Sequence, residues 1–147
     1  MRQDIEDAVN RYYKEYTDLF NLNGAAEAHL RQWCCLNYYH NPFKATSNAN
    51  LYKSWISLKN DASDYDDNLQ SGRLNIIMNP EGCVLARKNL KHVRYEMWRR
   101  GIVDGVYDRW HENEDEILKR IETMPEINSP DFKYIDGRDR DGKRIKS

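Results

Sequence analysis

Residues 79–101, NPEGCVLARKNLKHVRYEMWRRG, decide the fold class of this chain. Asn79 is a helix-capping residue, and Pro80 suits the first helical position, where its missing N–H costs nothing. Gly101 supplies a left-handed stop. Between them Cys83, Ala86, Leu90, Val93 and Met97 recur three and four apart, which draws one apolar stripe down a helix. The flanks of the stripe carry Arg87, Lys88, Lys91, Arg94, Arg99 and Arg100, and Glu96 is the one acidic residue between Arg87 and Arg100. One face therefore calls for a core, and the other is expected to offer positive charge.

Upstream, the same periodicity recurs. Residues 4–20 place Ile5, Ala8, Val9, Tyr12, Tyr16, Leu19 and Phe20 on one side of a helix that Asp4 can cap. A second helix is expected over 25–39, with Ala26, Leu30, Trp33 and Leu36 inward, and His40-Asn41-Pro42 ends it. A third starts near Ser47 or Asn48. Its seam of Leu51, Trp55, Leu58, Ala62, Tyr65 and Leu69 suits another helix, within the chain or between chains. Residues 60–68 hold four Asp and two Asn, so a break or fraying is expected there. Residues 72–78 read as a buried extended linker, because a single strand would have no partner.

Downstream, Asp104 is expected to cap a fifth helix that runs to Thr123. Val106, Tyr107, Trp110, Ile117, Leu118 and Ile121 face inward, and Asp108, Glu112, Glu114, Asp115, Glu116 and Glu122 line the outer face. Periodicity stops after Pro125. Phe132, Tyr134 and Ile135 alternate like a short docked arm, and from Asp136 the chain reads as a mobile charged end. The expectation is an all-α bundle of about five helices over 1–124, with an extended, charged and flexible tail over 125–147.

Length and composition agree. The chain has 147 residues, with four Trp, ten Tyr and three Phe to anchor a core. Charged residues make up 32%, but the apolar ones are patterned, which argues for a folded chain. The net charge of −1 gives no global pull toward nucleic acid, so any such role rests on local segregation. Cys34, Cys35 and Cys83 are too few and too oddly placed for a disulfide framework. With no signal peptide and no long apolar run, the chain reads as cytoplasmic, with reduced thiols and no membrane contact.

Catalytic and metal signatures are weak. His29, Cys34, Cys35 and His40 lie close together, but there is no C-x-x-C pair, and adjacent helical cysteines point apart. Asp61, Asp64, Asp66 and Asp67 lack the sixth-position Gly and distal Glu of a calcium loop, and read as a solvated acidic surface. Asp131-Phe132-Lys133 has no companion acid, no Ser sits in an elbow, and no GxxxxGK loop is present. No metal and no cofactor is expected, and the chain reads as a non-enzyme. Residues 93–110 have a superficial helix-turn-helix pattern around Gly101, Ile102, Tyr107 and Trp110. Glu96 and Arg100 stand where that motif is usually apolar. Glu112, Glu114, Asp115 and Glu116 on the would-be reading helix would meet phosphates.

The order of features from Ala26 to Ile102 resembles one family of phage terminase small subunits. A helix carries Ala26, Leu30 and Trp33, and an aromatic one carries Tyr52, Trp55 and Leu58. After a linker and Asn79-Pro80, a helix with Ala86, Lys88 and Leu90 closes at Gly101-Ile102. The resemblance covers about half of the chain, and its motifs are general ones. It implies a DNA-packaging adaptor that binds duplex DNA, forms a homo-oligomer and meets a motor protein, with Arg87, Lys91 and Arg94 toward nucleic acid. The chain departs from that family after the Gly, where Val103-Asp104-Gly105 leads into acidic sequence in place of a Pro-containing turn and a basic end.

Two readings follow. In the first, the cations Arg87, Lys88, Lys91, Arg94, Arg99 and Arg100 contact DNA or a neighbouring subunit. In the second, the chain is a small phage-encoded inhibitor of host machinery. It occludes a protein partner through the acidic residues Asp61, Asp64, Asp66, Asp67, Glu112, Glu114, Asp115 and Glu116, which mimic phosphate for a basic site.

Overall fold

A computed structural model describes residues 3, 7, 24–70, 80–106 and 113–143. Among them lie four α-helices: α1 (Gly24–Leu36), α2 (Asn48–Gln70), α3 (Pro80–Arg99) and α4 (Glu114–Thr123). A short 3-10 turn, Tyr38–His40, follows α1. The expected helix over 4–20 and the linker over 72–78 lie outside the described residues. No helix among those described is long and apolar enough to cross a membrane.

The helix that dominates the sequence is also the centre of the fold. Every residue of α3 from 90 to 97 is buried, so its surroundings close on all sides. One face joins Leu90, Val93 and Met97 to Leu51 and Trp55 of α2, to Ile102 and Val103, and to Ile117 of α4. Another face brings Tyr95 against Leu30 and Cys34 of α1 and against Val106. Leu90, Val93 and Met97 of the stripe and Leu51, Trp55 and Leu58 of the α2 seam thus pack within one chain. Burying a side chain such as Leu51 or Met97 is worth about 2 kcal/mol each.

The end of α3 follows from Gly101. Its φ of +82° lets the Ile102 N–H reach the Met97 carbonyl while the Gly101 N–H reaches Trp98. This is the six-to-one and five-to-two pairing of a Schellman stop, with Ile102 and Met97 both fully buried beside it. A Cβ at Gly101 would stand 3.4 Å from Ile135 Cγ2.

Two expected boundaries move. The α2 helix continues through 60–68 to Gln70 without the expected break. Low propensity costs only a few tenths of a kcal/mol per residue, so a helix anchored upstream by Leu51 and Trp55 can absorb it. The last helix begins at Glu114, not after Asp104. Its cap is Asn113, whose side chain accepts from the Glu116 N–H at 3.2 Å. Asp104 instead meets Arg120 at 3.0 Å. Residues 101–106 form bends that lead away from α3.

The C-terminal segment folds back on the bundle. Phe132 and Tyr134 are buried, and the Ile135 N–H donates to the Arg99 carbonyl at 2.7 Å. Glu126 accepts from the Asn48 N–H at 3.0 Å, which ties the segment to the start of α2. Beyond it, Asp139 caps a turn by accepting from the Asp141 and Lys143 N–H groups.

Candidate functional site

The six cations singled out on α3 do not form one solvated face. Lys91, Arg94 and Arg100 are buried. Lys88 is half-buried, and the Arg87 side chain lies outside the described residues. The Arg94 Nε donates to the Gly105 carbonyl at 2.8 Å, and its guanidinium lies 5.3 Å from the Trp55 ring. It therefore stitches α3 to the bend that follows it. Arg99 is held between two rings, 4.5 Å from Tyr38 and 4.0 Å from Tyr134, with Asp136 at 3.7 Å. This is a cation–π clamp that takes up the charge inside the fold.

Arg100 is the hub of the polar interior. Its Nε donates to Glu96 at 2.9 Å. Its Nη1 donates to the Thr46 carbonyl at 2.6 Å and to Asn48 Oδ1 at 3.0 Å. Its Nη2 reaches the Lys44 carbonyl at 3.1 Å. One guanidinium thereby satisfies the carbonyls of the loop between the 3-10 turn and α2. Asn41 fixes the other end of that loop: its amide donates to the His92 carbonyl at 2.9 Å, and its Oδ1 accepts from the Phe43 N–H.

Glu96 completes the cluster. It accepts from Tyr38 Oη, and from Tyr134 Oη at 2.9 Å, and the two phenols lie 2.9 Å apart. Burial first, and then the Glu96 charge, push both phenols above their usual pKa, so they remain protonated donors. Four parts of the chain meet here: the 3-10 turn, the loop before α2, the end of α3 and the C-terminal segment. The arrangement can lock those parts together, and all of its members are engaged with one another.

The acidic residues have a different fate. Asp61, Glu114, Asp115 and Glu116 are exposed. The side chains of Asp64, Asp66 and Asp67, and all of Glu112, lie outside the described residues. Glu114, Asp115 and Glu116 fill the first turn of α4, where carboxylates favour the helix dipole. Glu114 accepts from Tyr52 Oη at 3.3 Å, and Glu116 pairs with Arg120 at 3.0 Å. Asp115 is exposed next to them.

Other reactive groups are separated. Cys34 is buried and Cys35 exposed, as adjacent helical positions require. Burial pushes the Cys34 thiol up to about 12, with Lys91 opposing. His92 is lowered to about 4 by burial, and then by Lys91, His40 and Lys88. No group of three His, Cys, Asp or Glu side chains among the described residues is placed to hold a metal ion. A cleft of about 420 Å³ lies between residues 127–132 and 139–141, with Asn128, Ser129, Asp139 and Asp141 on its walls.

The sequence expectations name Glu96 and Arg100 but not their pairing, and they place Arg100 on a DNA- or subunit-facing surface. The signal for the pairing was present: both residues occupy positions where a helix-turn-helix pattern would be apolar, and they are four apart on one helix.

Comparison with protein-family models, curated proteins and solved structures finds no match to this chain.

Proposed function

We propose that this chain acts by binding a protein partner, without chemistry of its own, and that its contact face is the acidic outer side of α4 together with Asp61. One observation carries the reading. Lys91, Arg94 and Arg100 are spent inside the fold, whereas Asp61, Glu114, Asp115 and Glu116 stand in solvent. A DNA-packaging adaptor of the terminase small-subunit kind needs its cations where phosphates can reach them. An acidic face on a rigid helix instead suits a basic protein surface, with modest energy per charge pair and strong salt dependence.

The test compares the wild-type chain with a Glu114→Lys/Asp115→Lys/Glu116→Lys variant, both immobilised and exposed to lysate of the source cell. A basic partner retained by the wild type, eluted by salt and lost from the variant is the expected result. Equal retention by both would end the acidic-face reading. Separately, tight binding of duplex DNA that is lost in Lys88→Glu would return the packaging-adaptor reading.

A further inference from the structure

Large apolar side chains are exposed at Leu36, Tyr39, Leu85, Leu118 and Ile135 among the described residues, and those of α1 and α4 lie on different flanks of α3. At the end of α1, Leu36 is 71% exposed and Tyr39 is 73% exposed. The sequence periodicity would have turned Leu36 inward, but the core closes at Leu30 and Cys34 and leaves it outside. Arg31 and His40 are exposed beside them, and Lys44 donates to the Tyr39 carbonyl at 3.2 Å. On α4, Leu118 is 38% exposed, also against its expected inward place. Asp115, Leu118 and Glu122 follow one another at three- and four-residue spacing, so they share a face.

The charges around the two patches are opposite. The Leu36–Tyr39 patch has Arg31 on the same helix, His40 next to Tyr39 and Lys44 bonded to the Tyr39 carbonyl. The α4 patch is rimmed by Glu114, Asp115 and Glu122, all exposed, against one exposed cation, Lys119, next to Leu118. Within one chain the patches do not meet, because α1 packs on the Tyr95 side of α3 while α4 packs on the α2 side through Ile117.

We propose that the Leu36–Tyr39 patch of one copy docks the Asp115–Leu118–Glu122 face of a second copy of this chain. The contact is heterologous: two different patches meet, one copy keeps its α4 face free and the other its Leu36–Tyr39 patch, and growth continues into a ring or an open chain. The inference rests on the α4 face being a binding face, and it names that face's occupant. Two small apolar patches with a charged rim give a weak, salt-sensitive contact.

Sedimentation velocity on three proteins tests it: the wild type, Leu36→Glu/Tyr39→Glu, and Asp115→Lys/Leu118→Lys. All altered residues are exposed, and circular dichroism checks that each variant keeps the fold. The wild type is expected to form dimers and larger species as concentration rises, and to lose them in high salt. Each variant alone is expected to stay monomeric. Mixed together, the two variants are expected to form a heterodimer that stops there, because one intact copy of the interface remains. A wild type that is monomeric up to its solubility limit overturns the proposal and leaves the acidic face to a foreign partner. Variants that self-associate like the wild type, or that fail to pair when mixed, overturn it as well.

Discussion

The Glu96 carboxylate and the Arg100 guanidinium meet at 2.9 Å, one helical turn apart, and neither side chain has any solvent exposure. Their energetic worth is unequal. Removing Arg100 leaves a buried carboxylate facing only two phenols and strips the Thr46 and Lys44 carbonyls of a donor. Removing the charge of Glu96 leaves Arg100 with its loop oxygens. Arg100→Met is therefore expected to cost about 3–5 kcal/mol in urea unfolding, and Glu96→Gln about 1–2 kcal/mol. The double variant should lose less than the two single losses added, because the partners are coupled. Strict additivity, or an Arg100 variant as stable as the wild type, would contradict this reading of the interior.

Stability is also expected to depend on His92. In the folded chain this imidazole stays neutral down to about pH 4, whereas its ordinary value is 6.5. Lys88 and Lys91 on α3 and His40 on the 3-10 turn all oppose a further positive charge there. Below pH 6.5 the unfolded chain takes up a proton that the folded chain refuses, so stability falls with pH until His92 itself titrates near 4. The loss attributable to this group between pH 7 and 5 is about 2 kcal/mol. Urea midpoints at the two pH values should differ less in His92→Gln than in the wild type. An identical pH slope in both would remove His92 from the account.

Helices α1 to α3 were legible because apolar spacing is a local property. The stripe through Ala86, Leu90, Val93 and Met97, the seam at Leu51 and Trp55, and the stop at Gly101 all follow from residues within a few turns of one another. The use of the charges was not legible for the opposite reason. Arg100 finds its oxygens in a loop more than fifty residues earlier, and Tyr38 meets Tyr134 from ninety-six residues away. No spacing rule connects such partners. A run of Lys and Arg flanking a stripe reads as a solvated face unless a second layer covers it, and here α1, the loop before α2 and the C-terminal segment do so. The start of α4 was misplaced for a local reason. Asp104 and Asn113 are both good caps, and only the fold decides which one is followed by a helix.

The adjacent cysteines give a separate check on which side of α1 is buried. Neighbouring helical positions point about 100° apart, so the two thiols have different surroundings, Cys34 inside the core and Cys35 at its exposed edge beside Tyr95. Cys34 is packed with Leu30 and Tyr95, and its thiol is raised to about 12, so almost no thiolate exists at neutral pH. Cys35 is exposed. Brief treatment of the folded protein with iodoacetamide, followed by fragmentation of the peptide that carries both residues, should place the label on Cys35. Cys34 should react only after denaturation. Removing the core contact with Leu30→Ala is expected to destabilise the protein by about 2–4 kcal/mol and to raise the rate at which Cys34 is labelled. Equal labelling of Cys34 and Cys35 in the folded wild type would mean that α1 does not pack on α3 through this face. The Leu36–Tyr39 patch would then lose its place on the surface as well.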